Sequence, residues 1–146
     1  MFPRRLVLFA FLAATLSACG SGPTRKVHPS TASIQQIAVQ PDGHWRVTLR
    51  IQNYSTFAMH YAGFDAALTV NGVDAGQLKF APDIDIVASN SDVVDTTFVP
   101  PASLKLDRDV AYALKGTIRT TDPDNDFKFS ASSHLSPAPG LANTWR

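Results

Sequence analysis

The segment from His44 to Asn53 restricts the possible fold more than any other part of the chain. Four apolar residues in it alternate with polar ones: Trp45, Val47, Leu49 and Ile51. This period of two places the apolar side chains on one face of a β-strand, whereas a helix would scatter them around its circumference. The pattern therefore predicts a strand with one buried and one solvated face.

Other segments have the same β character. In chain order they are a stretch through Ile34, Ile37 and Val39, then Phe64–Val70, Ile84–Val87, Val93–Val99, Val110–Thr121 and Phe127–Phe129. Two turn signals separate neighbouring segments, Pro41-Asp42-Gly43 and Asn71-Gly72. Asn-Gly between β-type residues is a strong hairpin signal, because both central residues of a type I′ turn need positive φ.

The composition also favours strands joined by turns. All 12 acidic residues are Asp and none is Glu, and the chain has 10 Pro and 8 Gly. Asp, Pro and Gly favour turns, while Glu favours helix interiors. The best helix candidate, Ala102–Asp109, is short. We therefore expect an all-β, antiparallel sandwich of about seven strands, of the immunoglobulin or fibronectin III kind, with a small closed barrel as the alternative.

The first nineteen residues have the character of a secretory signal. Arg4 and Arg5 precede an apolar run, Leu6–Leu16, which is shorter than the roughly 20 residues that a membrane-spanning helix needs. A charged start, a short apolar stretch and small residues before a cut site describe a signal peptide. The alternatives are a signal peptide in which the cysteine occurs by chance, or a buried N-terminal helix.

The end of this segment resembles the bacterial lipobox, in the residues Leu16, Ser17, Ala18 and Cys19. The resemblance implies cleavage after Ala18 and acylation of Cys19, the only cysteine in the chain. It also implies several acyl chains on the mature protein, and more than one chain is needed for stable anchoring. Gly20 follows the cysteine instead of the Asp that retains lipoproteins in the inner membrane. We therefore expect an outer-membrane anchor facing the periplasm, with the inner membrane less favoured.

These patterns divide the chain into four parts. Residues 1–18 form the lipoprotein signal peptide and residues 19–32 a lipidated tether, since GSGPTRKVHPSTA has no apolar periodicity. Residues 33–135 form the sandwich domain and residues 136–146 a flexible tail, from which Leu141 and Trp145 could dock on the domain. Arg25 and Lys26 of the tether either touch lipid headgroups or are simply solvated.

Four strings between Ile34 and Ser133 carry a resemblance to a known family. They are the strand Trp45–Gln52 ending in Asn53, the hairpin Leu68–Gly72 followed by Gly76, the turn Ile86–Ser91 before Val93–Val99, and the strand Leu114–Ile118. In order and spacing they resemble the late embryogenesis abundant (LEA) type 2 family, also called the water stress and hypersensitive response (WHy) domain. Tyr54 departs from that pattern, because proline is typical there.

The resemblance implies a folded sandwich without catalytic residues. It also implies protection of membranes or proteins during water stress and desiccation, through weak contacts of the polar sheet faces. Together with the lipobox it predicts a non-enzymatic, outer-membrane-anchored periplasmic lipoprotein that has no cofactor. The alternative is a structural or adaptor lipoprotein that binds a specific envelope partner by edge-strand pairing or through its loops.

One acidic segment matches part of a metal-binding pattern. Asp122, Asp124 and Asp126 have the spacing of a calcium loop, but that loop needs Gly at its sixth position and Glu at its twelfth. Phe127 and Ser133 stand at those positions. We therefore expect solvated turn acids and no metal site there, and the same holds for the acidic pair Asp83 and Asp85.

The remaining candidate residues point to no reaction. The histidines have no metal-ligand spacing, and no G-x-S-x-G elbow or phosphate-binding glycine loop is present. The four histidines are His28, His44, His60 and His134. With a net charge of +1 the chain lacks the basic excess of nucleic-acid binders. We therefore expect no enzyme and no nucleic-acid partner, but membrane lipid through Cys19 and envelope or client proteins.

Two groups of residues would form binding surfaces if the fold brings them together on the outside of the protein. If their strands share a sheet, four outward cations form a face for anionic lipid or glycan, namely Arg46, Arg50, Lys115 and Arg119. An ordinary solvated face is the favoured interpretation. The apolar connection through Phe57, Met59, His60 and Tyr61 either binds a partner or, as we expect, caps one end of the sandwich.

Overall fold

The described part of the protein is an all-β sandwich. We use a computed structural model that describes residue 20 and residues 22–146. The predicted lipobox, with Leu16, Ser17, Ala18 and Cys19, lies outside these residues, as does the cleavage site. In the part that is described, no helix has the length and apolar character needed to cross a bilayer.

The described residues form nine strands in two antiparallel sheets. The strands are β1 (Thr31–Val39), β2 (Trp45–Gln52), β3 (Met59–Val70), β4 (Val73–Phe80), β5 (Ile84–Ile86), β6 (Ser91–Phe98), β7 (Val110–Asp122), β8 (Asp124–Leu135) and β9 (Thr144–Trp145). The first sheet has the order β6-β2-β1-β9, and the second has the order β4-β3-β7-β8 with β5 paired to β3. Seven strands have eight or more residues, so the predicted sandwich is confirmed, and its two sheets do not close into one barrel.

The alternating strand behaves as its pattern predicts. The four apolar residues of β2 are each at most 2% exposed, while Arg46 and Arg50 face solvent. Opposite them, β3 and β7 contribute inward residues that also alternate along the strand, among them Phe64, Leu68 and Ile118. Burial of these one-sided faces between the two sheets forms the core and is the main stabilising term of such a fold.

The predicted Asn-Gly hairpin is also confirmed. Val70 pairs with Val73, and the two residues between them have positive φ, 49° at Asn71 and 76° at Gly72. The Asn71 side chain strengthens the turn from outside, because its Oδ1 accepts a hydrogen bond of 2.9 Å from the Ala111 amide. The turn of β3 and β4 is thereby joined to the start of β7.

The predicted helix Ala102–Asp109 is wrong. This segment runs without a helix between β6 and β7, and the amide of Leu104 donates to the carbonyl of Pro101 in a single turn. Leu104 and Leu106, two residues apart, pack against the core. Their spacing is that of extended chain, so both leucines reach the core without a helix.

Two strands are longer than their patterns predict. β3 begins at Met59, five residues before the predicted start at Phe64. Register shifts against β7 at Tyr61 and Gly63 interrupt the alternation there, so the pattern did not reveal these first residues. Met59, His60 and Tyr61 of the supposed apolar connection are therefore part of a strand, with Met59 and Tyr61 buried in the core, while Phe57 lies in the loop before it. β8 extends from Asp124 to Leu135, beyond the Phe127–Phe129 core of the prediction, through small polar residues that pair with β7.

The sandwich has two ends of different construction. At the proximal end, residues 24–30 of the N-terminal segment join the loops 53–58 and 87–90 and the turn between β7 and β8. At the distal end, the connection 99–109 meets the C-terminal residues 136–146.

The sandwich domain extends beyond both of its predicted limits, residues 33 and 135. Thr31 and Ala32 belong to β1, and Ser30 is fully buried, so the sandwich begins before residue 33. In the C-terminal segment Trp145 is 7% exposed and pairs with Ile37 of β1, whereas Leu141 is 47% exposed. Trp145 therefore docks on the domain, and Leu141 does not.

Candidate functional site

Asn53 organises the proximal end. It is fully buried where β2 ends, and its Nδ2 group donates to the carbonyls of Phe57 at 2.9 Å and Ile86 at 3.0 Å. Its Oδ1 accepts a hydrogen bond of 2.8 Å from the amide of Ser55. One amide side chain thus joins the loop after β2 to the end of β5, since buried backbone groups must find partners.

The N-terminal segment is hydrogen-bonded to the same loop. The Oγ1 atom of Thr56 accepts from the Lys26 amide at 2.8 Å and donates to the Thr24 carbonyl at 2.8 Å. The amide of Thr56 donates in turn to the Lys26 carbonyl at 3.1 Å. One residue earlier, Ser55 accepts from the His28 amide at 2.8 Å. Residues 24–28 therefore run along the loop as part of the domain.

Buried hydroxyl groups continue this polar network inward. Ser30 and Tyr61 share a hydrogen bond of 2.7 Å between their hydroxyl oxygens, and both residues are fully buried. Burial raises the pKa of Tyr61, and the hydrogen bond to Ser30 opposes that rise. Thr120, also buried, donates to the Pro123 carbonyl at 2.7 Å. Each of these groups joins backbone segments, so we assign them a structural role.

Three large apolar side chains are exposed on the joined segments of the proximal end. Val27 is 45% exposed, Tyr54 53% and Val87 57%. Tyr54 is the residue that departs from the family pattern. Beside them, the guanidinium of Arg25 lies 4.1 Å from the ring centroid of Phe57 and 3.9 Å from an Asp122 carboxylate oxygen.

A histidine with two carboxylates lies on the second sheet at the proximal end. His60 Nδ1 is 2.8 Å from an oxygen of Asp85, and its Nε2 is 3.2 Å from an oxygen of Asp83. The sequence did not predict this group, because His60 lies on β3 and the acids lie in and before β5. The pairing of β3 with β5, His60 opposite Asp85, brings them together.

The three turn acids do not converge. Asp122 approaches Arg25, while Asp126 accepts a hydrogen bond of 3.0 Å from Arg119. Asp124 pairs across the hairpin with Thr121. Within residue 20 and residues 22–146, no group of three His, Cys, Asp or Glu side chains is placed to hold a metal ion.

The cationic face that was predicted for the case of a shared sheet does not form, because its two strands belong to different sheets. Arg46 and Arg50 lie on β2 of the first sheet, and Lys115 and Arg119 lie on β7 of the second. Arg46 is also paired, 2.5 Å from an Asp95 oxygen. Hydrogen bonds from Thr48 and then Arg46 lower the pKa of Asp95. These side chains form the ordinary charged exterior of a sheet.

A groove of about 810 Å³ lies on the outer face of the second sheet. Its floor contains Gly63 and Gly116, and its rim carries the pair Lys79 and Asp65, 3.5 Å apart. Gln77 donates to Asp65, and this bond first and the Lys79 charge second lower the pKa of Asp65. A Cβ on Gly116 would overlap the Asp65 carbonyl and the Ala66 backbone. The glycine therefore permits close approach of β3 and β7.

At the distal end a smaller groove of about 400 Å³ lies between Trp45, the prolines after β6 and Trp145. The Trp145 indole donates to the Arg108 carbonyl at 3.0 Å. The residue 146 backbone exchanges two hydrogen bonds with Ser136, of 2.7 and 2.9 Å. The groove is thus a seam where the C-terminal segment closes the sandwich.

Comparison with known proteins identifies the fold. No protein-family profile matches the sequence, and no curated protein sequence matches it. A protein from Arabidopsis thaliana solved in solution aligns with a TM-score of 0.52 at 12% identity, over 88% of this chain and 93% of that one. At this identity the likeness shows a shared fold alone, and it agrees with the two-sheet sandwich.

Two further solved structures align less closely. A protein described as a candidate LEA protein gives a TM-score of 0.49 at 15% identity, over 88% of this chain and 78% of that one. A protein from Archaeoglobus fulgidus gives 0.43 at 11% identity, over 77% and 98%.

Proposed function

We propose that this protein is an outer-membrane lipoprotein of the periplasm whose LEA type 2-like domain protects membranes or proteins during water stress without catalysing a reaction. The lipobox Leu16–Cys19, with the chain's single cysteine at its end, is the observation that carries the anchor. The four sequence strings that resemble the LEA type 2 family carry the stress role.

The arrangement of polar groups supports a binding or protective module over an enzyme. Among the described residues, every buried side-chain nitrogen and oxygen has a hydrogen-bond partner. At the proximal end those partners are backbone groups of neighbouring segments, as at Asn53 and Thr120. Groups used in this way hold the fold together and are not directed toward a substrate.

The anchor is tested by metabolic labelling with an alkynyl fatty acid in the native bacterium. We expect the label on the mature protein, with the protein in outer-membrane fractions. A Cys19→Ser variant should lose both, while Ser17→Ala, which retains a small residue in the lipobox, should keep both. Unlabelled wild-type protein in the soluble periplasm would contradict the anchor.

The stress role needs a separate test. A deletion strain should survive drying, osmotic shock and freezing less well than its parent. Complementation with the wild-type chain should restore survival, and complementation with Cys19→Ser should restore less. Equal survival of the deletion strain and its parent under all three stresses would reject the stress role and leave the anchor unaffected.

An adaptor role is the second candidate, favoured by the exposed edge of the first sheet. β6 has eight residues and pairs only with β2 among the described strands. Such an edge offers backbone groups to an added strand. Crosslinking in intact cells should then recover one stoichiometric envelope partner, and a Val94→Pro variant should lose it. Recovery of no such partner would reject this candidate.

A further inference from the structure

We infer that the proximal end is the membrane-contacting surface of the protein, with Val27, Tyr54 and Val87 in the lipid headgroup region of the membrane that carries its anchor. The inference rests on the proposed acylation of Cys19. It adds an orientation and a lipid-binding surface to that proposal.

The length of chain before the domain sets the orientation. Hydrogen bonds of the Thr56 side chain hold the backbone at Thr24 and Lys26 against the loop after β2. From Cys19 to Thr24 the chain has five residue steps, which span at most about 18 Å when fully extended. The tether that the sequence predicts, residues 19–32, would place fourteen residue steps between Cys19 and the domain, reach at most about 50 Å and leave the orientation free. The short connection keeps the proximal end beside the anchor.

The side chains at this end suit a bilayer interface. Val27, Tyr54 and Val87 are about half exposed, and they stand on three segments joined by hydrogen bonds through Asn53 and Ser55. Tyrosine prefers the headgroup level, where its ring is in an apolar environment and its hydroxyl is hydrated. Lys26 is exposed in the same segment and suits phosphate groups.

Exposure alone does not choose between the two ends. Val73, Val99 and Leu141 are exposed at or near the distal end to a similar degree, from 47% to 66%. The position of the chain before Thr24 makes the choice, because it brings only the proximal end near the lipid. The distal residues therefore serve as matched controls.

Charge also divides the proximal end itself. The acids Asp83 and Asp85 lie on the side of the second sheet, next to His60, whereas Asp122, the acid beside the N-terminal segment, is 3.9 Å from the Arg25 guanidinium. Anionic headgroups repel carboxylates, so we expect the domain to tilt toward the N-terminal segment and the loops 53–58 and 87–90.

Lipid quenching tests this orientation on the acylated full-length mature protein. A Val87→Cys variant labelled with bimane is reconstituted in vesicles of phosphatidylethanolamine and phosphatidylglycerol that contain headgroup-proximal doxyl lipid. The acylated Cys19 sulfur does not react with the label. We expect fluorescence to fall about twofold or more, while bimane at Val99→Cys changes by about a tenth or less, since an interfacial apolar face enters the headgroup/acyl boundary by about 5–10 Å.

A second pair of variants tests the apolar contact. In the Val87-labelled protein, the double change Val27→Ser and Tyr54→Ser should reduce the quenching, and Val73→Ser with Leu141→Ser should leave it unchanged. Fluorescence of the buried Trp45 and Trp145 verifies that each variant is folded.

The outcomes separate this inference from the proposed anchor. Protein that does not float with the vesicles contradicts the anchor and with it the inference. Protein that floats but shows equal quenching at Val87 and Val99 contradicts the orientation alone. Quenching at Val87 that is unaffected by the double change contradicts the apolar contact. Selective quenching that the double change weakens supports the inference.

Discussion

The two ends of the sandwich are closed by different chemistry. At the proximal end, backbone segments meet through buried polar side chains, with Asn53 bonded to residues 55, 57, 86 and 87. At the distal end, apolar rings close the core. The ring centroids of Trp45 and Phe98 are 5.9 Å apart, and the Trp145 ring packs there from the C-terminal segment.

This difference determines how each end responds to change. Apolar burial is non-directional and scales with the area removed from water, so the distal end tolerates small shifts in geometry. Buried hydrogen bonds require defined partners, and a missing partner costs the full desolvation of the group left behind. We therefore expect the proximal end to keep the N-terminal segment in one defined path. Four substitutions test this contrast, in order of decreasing effect.

Trp145→Ala should be the most destabilising. It removes a nearly buried indole and its hydrogen bond to Arg108, and truncation of a buried Trp costs about 3–5 kcal/mol. Chemical unfolding followed by circular dichroism measures the loss. The matched control is Leu141→Ala in the same segment, which should cost about 0.5 kcal/mol or less because Leu141 is exposed. Equal losses would mean that the segment contributes as a whole and not through its indole.

Asn53→Ala should cost about 3 kcal/mol, because it removes the hydrogen bonds that the Asn53 side chain makes to the buried Ser55 amide and Ile86 carbonyl. The same unfolding experiment measures it. The control is Asn90→Ala, an exposed residue whose side chain accepts one hydrogen bond from Ser91. Asn53→Asp should be nearly as damaging as Asn53→Ala, because a carboxylate cannot donate to the carbonyls. A stable Asn53→Asp variant would contradict the polar construction of this end.

Thr56→Val should free the N-terminal segment while leaving the domain folded. The change removes the bonds to the Lys26 amide and the Thr24 carbonyl, worth about 1 kcal/mol, so cleavage by trypsin after Arg25 and Lys26 should become about fivefold faster. Thr97→Val, an exposed threonine of β6, is the control and should leave the rate unchanged. Unaltered cleavage in Thr56→Val would show that the segment is held by other contacts.

Asp95→Asn should have the smallest effect, and it lies on β6 between the two ends. Hydrogen bonds from Thr48 and Arg46 lower the folded-state pKa of Asp95, so its contribution is present above the unfolded pKa near 4 and is lost as the pH falls through the folded value. Because the group is exposed, we expect less than about 1 kcal/mol. Wild-type protein should lose this stability on acidification below about pH 4, whereas the variant lacks it at pH 7. Identical pH profiles would contradict this assignment.

The same contrast explains what the sequence could predict. The strand β2 and the Asn71-Gly72 turn depend on neighbouring residues, so period and turn chemistry identified them. The proximal network depends on pairs such as Lys26 with Thr56, thirty residues apart, which carry no periodic pattern. His60 with Asp83 and Asp85 remained unpredicted for the same reason.

At the distal end, the C-terminal segment also differs from what its sequence predicts. Its Pro-, Gly- and Ala-rich composition predicts loose chain, but Trp145 adds a short strand to β1 and buries its ring. Whether an isolated Trp docks depends on a complementary surface, and in this chain Ile37 of β1 and the Arg108 carbonyl supply it.

We infer that residues 24–30 belong to the folded domain and bring the chain before them to the proximal end. Amide hydrogen exchange on the mature chain with Cys19→Ser tests it most directly. We predict that the amides of Lys26, His28 and Thr56 exchange at least about tenfold more slowly than in an unstructured peptide, because each is hydrogen-bonded. Exchange of all three at the rates of an unstructured peptide would contradict the claim.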